Sequence, residues 1–267
     1  MMKSQGFKPA WIASLMGALL ALFWSPTAPA ADPVTTVKSL LAPYEATYRL
    51  QQGPLTLAQA TFTLRREAGK DEWTLSSRTE TKGWLAALRS DRIEEISRFR
   101  LDGDQPVPLH YQMRHQAARE TKTESADFDW SARRVTGAVN GTAFSLPLEP
   151  YTYDRLSLQI LVRAAAFKQV NPIQVRMLEK NKIKPLRMEA AQQLETLRTP
   201  AGSFDTLRII QVDRKKPITF WLAPTANYLP IRVEQDRGSL HLKLELESLN
   251  TGDRLSGLSA ALKPWVK

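Results

Sequence analysis

The sequence predicts a mainly β fold: a curved antiparallel sheet, half-barrel or barrel, of about 11–13 strands around one central apolar helix near residues 153–167. Three observations predict it. Hydrophobicity alternates with period two through most of the chain, which is the strand signature. Turn-forming clusters separate many of the runs: "REAGKDE", "LDGDQP", "VNGT", "TPAGS", "PTAN" and "QDRGS". A single segment, "YDRLSLQILVRAAAF" at 153–167, breaks the alternation with helical spacing.

The N-terminus reads as a targeting segment. A basic start with Lys3 and Lys8 precedes the uncharged apolar stretch "PAWIASLMGALLALFW", and "SPTAPA" ends in Ala28-x-Ala30. That order predicts a signal peptide over 1–30, cleavage after Ala30 and a periplasmic location. The apolar stretch is short for a spanning helix, which needs about 20 apolar residues. No twin arginine is present, so the general export route is expected. The chain has no cysteine, which excludes a lipid-modified N-terminus, thiol catalysis, redox motifs and thiolate metal sites.

Residues 31–267 are expected to form a single β-rich domain, with 35 basic against 27 acidic residues and a net charge of +8. A chain of this length buries roughly 70–75% of its unfolded surface, so it needs no disulfide staple. The positive balance suits an anionic partner such as a membrane surface, or is an ordinary soluble surface rich in lysine and arginine. Nucleic acid is a poor partner for an exported protein.

Strand-like runs fall at 44–50, 57–65, 72–79, 91–101, 108–114, 121–130, 133–139, 173–179, 186–198, 204–213, 218–222, 228–236 and 240–249. "VNGT" at 139–142 suits a type I′ hairpin. In the last run Leu240, Leu242, Leu244 and Leu246 share one face, and His241, Lys243, Glu245 and Glu247 the other. That is a half-buried strand with one wet face. In the helical segment, Asp154 is a good N-cap, and Arg155, Gln159 and Arg163 make a narrow polar stripe. So apolar a helix is mostly buried, and it should pack inside the curvature of the sheet. "EKNKIKPLR" at 179–187 reads as a basic loop or hairpin turn.

Motifs for chemistry are sparse. His110, His115 and His241 lack metal-ligand spacing. "AGS" at 201–203 is a turn rather than a nucleophile elbow, and no phosphate loop or dinucleotide fingerprint is present, so no cofactor is expected. Asp154 and Ser157 fit a capping box better than an acid beside a nucleophile. Asp127 and Asp129 share a face opposite Phe128 and Trp130. No catalytic or metal-binding residue is predicted.

Four residues are predicted to bind ligand: Glu95, Trp84, Trp221 and Tyr228. Trp73, Leu75, Ser77, Thr79 and Thr81 share a face, as do Ile93, Glu95, Ser97 and Phe99. Glu95 then points inward between apolar neighbours. A buried carboxylate needs a partner or a raised pKa; it forms an internal ion pair with an arginine or lines a hydrated cavity and fixes a ligand. Trp84, with Leu85 and Leu88, forms an apolar patch in the segment 82–90, a contact site or lid if exposed and a barrel cap if buried. In "FWLAPTANYLPIRV", 220–233, Pro224 stops one strand and Pro230 starts the next. Trp221 and Tyr228 are expected at the rim or inside the concavity.

Several blocks carry a resemblance when taken in order: "PYEATYRL", "TKGWLAALRSDRIEEISRF", "VPLHYQM", "ADFDW", "YDRLSLQILVR", "LETLRTPAGSFDTLRI" and "FWLAPTANYLPIRV". Together they resemble the domain-of-unknown-function family 3108 of exported bacterial proteins, over nearly all of 42–250. That family supplies no activity or catalytic residues. The Trp, proline-turn and "P-x-R-V" pattern is also similar to Lol-type lipoprotein carriers, periplasmic half-barrels with a helix over an apolar concavity. This second likeness is one of fold.

The expected function is non-enzymatic binding or carriage of a lipid, lipoprotein or other amphiphile between sheet and helix. The alternative is an envelope assembly factor with a filled core and contact surfaces at 82–90 and 179–187. A glycan or lipid hydrolase would need Glu95 or the Asp127–Asp129 pair to converge with a second carboxylate in a cleft. An outer-membrane barrel fits poorly, since charges fall on both strand faces and a helix interrupts the series.

Overall fold

The computed structural model describes residues 36–83, 91–237 and 240–251. The expected signal peptide over 1–30 and the Trp84, Leu85 and Leu88 patch lie outside these residues. After a one-turn helix, α1 (Val37–Leu40), come β1 (Tyr44–Gln52), β2 (Leu55–Arg66), β3 (Glu72–Thr81), β4 (Arg92–Asp102) and β5 (Gln105–Gln116). Then follow β6 (Thr121–Asp129), β7 (Arg134–Val139), β8 (Thr142–Pro147), β9 (Thr152–Tyr153) and the helix α2 (Arg155–Phe167). The second half holds β10 (Ile173–Glu179), β11 (Lys182–Thr199), β12 (Gly202–Gln211), β13 (Ile218–Ala223), β14 (Leu229–Arg237) and β15 (Leu240–Thr251).

All fifteen strands belong to one sheet, in the order β8-β7-β6-β5-β4-β3-β2-β1-β15-β14-β13-β12-β11-β10-β9. Two meanders run outward from its centre, and the antiparallel pairing of β1 with β15 joins them. The pairing is antiparallel everywhere except between β9 and β10. Among the described residues β8 and β9 are the edges, so the sheet is an open, curved half-barrel. The two strands beyond the expected range are short. β8 follows the Asn140–Gly141 turn with mostly exposed residues, and β9 spans two residues; neither gives a clear alternating run. Register shifts after Thr47, Leu50, Arg98 and Trp221 insert bulges, and bulges bend strands and add twist.

Period two sends one row of each strand into the concavity. Tyr48, Phe62, Leu75, Phe99, Tyr111 and Val135 join one apolar cluster. Ile173, Leu186, Met188, Ile209, Phe220 and Leu222 join a second. Helix α2 bridges them: Leu156 and Ile160 pack in the first, Leu158, Val162, Ala165 and Ala166 in the second. Each large apolar side chain so buried contributes about 1.5–3 kcal/mol. The expected placement of the helix inside the curvature is therefore correct.

The helix starts where Asp154 accepts from the amides of Leu156 (2.8 Å) and Ser157 (3.0 Å), with a full capping box. Asp154 also accepts from Ser97 Oγ of β4 at 2.8 Å, which ties the cap to the sheet. Further along, Arg163 is only 2% exposed. It donates to the carbonyls of Leu40 (2.7 Å) and Asn227 (3.1 Å) and lies over the Tyr44 ring. The polar stripe of the helix thus faces protein.

Candidate functional site

A cavity of about 230 Å3 lies between the first two turns of α2 and the concave face of the second meander. Its apolar wall comes from alternate residues of neighbouring strands. Met177 belongs to β10, Leu186 and Met188 to β11, Ile218 and Phe220 to β13, Val233 to β14 and Leu244 to β15. Tyr48 and Phe62 close it from β1 and β2, and Leu156 and Leu158 from α2. Seven polar side chains are set into this wall: Glu95, Arg155, Gln159, Glu179, Gln211, Arg214 and Gln235.

The largest polar group is centred on Arg155, the first residue of α2. Its Nε lies 3.0 Å from Glu95 Oε1, and its Nη2 3.2 Å from Glu124 Oε2. The guanidinium also bonds the Tyr111 hydroxyl and lies over that ring. Tyr111 donates to Glu95 Oε1 at 2.6 Å, and Ser77 Oγ donates to Glu95 Oε2 at 3.3 Å. Burial and the adjacent Glu95 push the Tyr111 hydroxyl far above its ordinary pKa, so it stays protonated and donates. Burial alone would lower Arg155, but Glu95, Tyr111 and Glu124 outweigh it and hold the guanidinium charged. A desolvated arginine needs such partners.

A second ion pair stands at the wetter edge of the cavity. Glu179 lies 2.6 Å from Lys184 and 3.4 Å from Arg214. The Glu179 and Arg214 side chains are 31% and 33% exposed, so this edge reaches the surface, as Arg155 does at 38%. The bond from Lys184 and the nearby Arg214 charge, acting against partial burial, hold the Glu179 carboxyl below its usual range. Gln211 lines the same cavity at 3% exposure, and its Nε2 finds no hydrogen-bond partner among the described residues.

Of the predicted ligand residues, Glu95 lines the cavity and forms the expected internal ion pair with an arginine, Arg155. Trp221 does not line the cavity, which corrects its expected place. Its neighbours Phe220 and Leu222 take the concave face, so period two turns Trp221 to the outer one, where Arg232 lies 6.0 Å from the ring. Tyr228 also lies off the cavity wall. It follows a 3-10 turn (Pro224–Ala226) and packs edge-on against Phe167 at the end of α2.

Asp127 and Asp129 sit on the outer face of β6. Asp127 pairs with His110 at 2.7 Å, and Asp129 caps the following turn through Ser131 and Ala132. They do not converge with Glu95. A polar groove of about 350 Å3 also lies on the outer face of β1–β5, with Gln59, Thr61, Arg65, Ser76, Arg78 and Gln112 among its lining. The concave cavity has the composition usual for a ligand site, apolar walls with a few placed polar groups.

Fold and cavity together define a class: an open, barrel-like β-sheet closed over a buried helix, with an internal amphipathic pocket. Residues 44–247 match the family described as "Protein of unknown function (DUF3108)", and the chain belongs to that family. In fold it is similar to the crystal structure of a beta-barrel-like protein of domain of unknown function DUF1849 from Brucella abortus. The TM-score is 0.53 at 12% identity, covering 80% of this chain and 99% of that chain. At this identity the likeness is one of fold. No curated protein matches the sequence.

Proposed function

We propose that the protein is a non-enzymatic binder or carrier of an amphiphile of the cell envelope, such as a lipid or the acyl part of a lipoprotein. The cavity carries this reading: its wall is apolar, and its charged groups gather at two partly exposed places. At about 230 Å3 it is somewhat smaller than the roughly 300–1,000 Å3 of drug-sized sites. It therefore suits an acyl chain or one end of a larger molecule.

The loops beside the wetter edge support a second part of the proposal, an anionic membrane surface as partner. Exposed Lys180 and Lys182 follow Glu179, and exposed Lys215 follows Arg214. Three cations at the mouth, on a chain of net charge +10, favour an approach to anionic lipid. Export through the N-terminal segment would bring the protein to such a surface.

The experiment is a titration of the purified protein with pyrene, a fluorescent hydrocarbon that reports the polarity around it. Saturable one-to-one uptake into an apolar environment, reversed by an added amphiphile, is expected. No saturable uptake would overturn the reading.

One observation favours the alternative of an assembly factor. Beyond Ala190, β11 has no β10 residue beside it and pairs only with β12. Leu194 there is 56% exposed. An uncovered edge of this kind accepts a strand from a partner.

A further inference from the structure

We infer that Gln211 is the recognition group for a carbonyl on the bound molecule, so that the ligand is an acyl compound, an ester or amide with a hydrocarbon tail. The inference rests on the cavity being a ligand site and names the chemistry that site selects. Gln211 is the last residue of β12 and points the same way as Ile209, into the apolar concavity. Leu186 and Met188 stand beside it on β11, and Met188 is its direct cross-strand partner. Neither side chain offers a hydrogen bond. At 3% exposure the amide has given up water, and its Nε2 has no partner among the described residues.

A buried amide donor without an acceptor carries its full desolvation cost. The charged groups of the cavity do not share this state, and Gln159, which also has no partner among the described residues, is only half-buried and open to water. Arg155 and Glu95 are bound to each other and to Tyr111, and Glu179 and Arg214 are paired. Gln211 therefore has hydrogen-bonding capacity free for a guest. The wall around it, Phe220, Met188 and Leu186, accepts hydrocarbon. A guest that fits both is a chain carrying one acceptor. The carbonyl of an ester or amide is such an acceptor, and it needs no counter-ion in a wall where the nearby charges are already paired. The tail would lie along the apolar wall, and the polar end would face Arg214 at the wetter edge.

The test uses the full chain with pyrene bound, displaced by two matched competitors. Methyl decanoate has the carbonyl; decyl methyl ether has a methylene in its place. The ratio of their displacement constants is read within each variant, so that changes in fold or cavity size cancel. The wild type should prefer the ester about 3- to 10-fold, the worth of one net hydrogen bond. In Gln211→Leu the ratio should fall to near one. An unchanged preference in Gln211→Leu, or no preference in the wild type, overturns the inference while leaving the ligand site intact. Failure of pyrene itself to bind the wild type sinks the ligand site and the inference together. If Gln211→Leu does not fold, Gln211→Met is read in its place.

Discussion

Glu95 on β4 and Arg155 at the start of α2 meet with 3.0 Å between Oε1 and Nε, and their pairing couples the helix to the first meander. Tyr111 bonds both partners, so the pair works as part of a network. Removing one partner leaves the other desolvated, which costs more than the pair itself is worth. The Arg155 and Glu95 side chains are 38% and 18% exposed, so the cost falls below that of a fully buried pair. Glu95→Ala should destabilise by about 1–2 kcal/mol in urea unfolding. Glu95→Gln with Arg155→Met should cost less than the sum of the two single changes, which a double-mutant cycle measures directly.

Arg163 should matter more to stability than Arg155. It is almost wholly buried and holds two backbone carbonyls, of Leu40 and Asn227, from opposite parts of the chain. Hydrogen bonds from a charged donor are worth about 1.5–3 kcal/mol each, and the carbonyls left behind lose their partner. Arg163→Met should therefore lower the unfolding free energy by about 2–4 kcal/mol, after allowing for the desolvation relieved. A loss no larger than that of Arg155→Met would contradict the assignment of Arg163 as the clasp.

Asp154 gives a pH-dependent prediction. Burial raises its carboxyl above the ordinary 3.8, although bonds from Ser157, Ser97 and Leu156 pull the other way. The folded state therefore keeps the proton at pH values where the unfolded chain has released it. Its contribution is fully present below pH 3.8 and declines as pH rises through the folded pKa. Asp154→Asn keeps a capping side chain and removes that slope. The stability of the wild type minus that of the variant should therefore fall as pH increases from about 3 to 6. A flat difference would contradict the raised pKa. Asp154→Ala should cost a further ~1 kcal/mol for the lost cap.

Filling the cavity should block uptake. Val233 is half-buried in its wall, and Val233→Phe adds a ring to that space. Overpacking costs about 1–3 kcal/mol, which a domain of this size tolerates. Pyrene affinity should fall at least tenfold, read by the same titration. Undiminished affinity would place the ligand elsewhere.

The basic mouth should act through charge. Lys180→Glu, Lys182→Glu and Lys215→Glu combined should abolish co-sedimentation with vesicles containing phosphatidylglycerol. Wild-type binding should weaken steeply between 50 and 300 mM salt, as screening predicts. Binding that ignores both salt and substitution would remove the membrane surface as a partner.

The strands were legible because each keeps one apolar row, as in Leu242, Leu244 and Leu246 of β15. The capped, apolar helix was legible through Asp154 and its spacing. The two edge strands were not: β8 offers only Phe144 and Leu146, half-buried, to the core, and β9 has two residues. Inward Glu95 was readable from parity alone, because Ile93 and Phe99 share its face. The rest of the site was not. Gln211 also lies in register with apolar inward residues, but its importance depends on what stands opposite. Met188 was set there by the pairing of β11 with β12, and pairing is a long-range fact. Trp221 was misplaced for a related reason. It was expected at the rim or inside the concavity from its place at the hairpin, but the alternation with Phe220 and Leu222 turns it to the other face, where it is 8% exposed.

The most direct test of the central claim is native mass spectrometry of the protein purified from its own envelope fraction without detergent, followed by organic extraction. The account predicts one amphiphile per chain, with an acyl group, that leaves on extraction and rebinds when offered. A clean apo mass, with no uptake of offered acyl lipids, would contradict it.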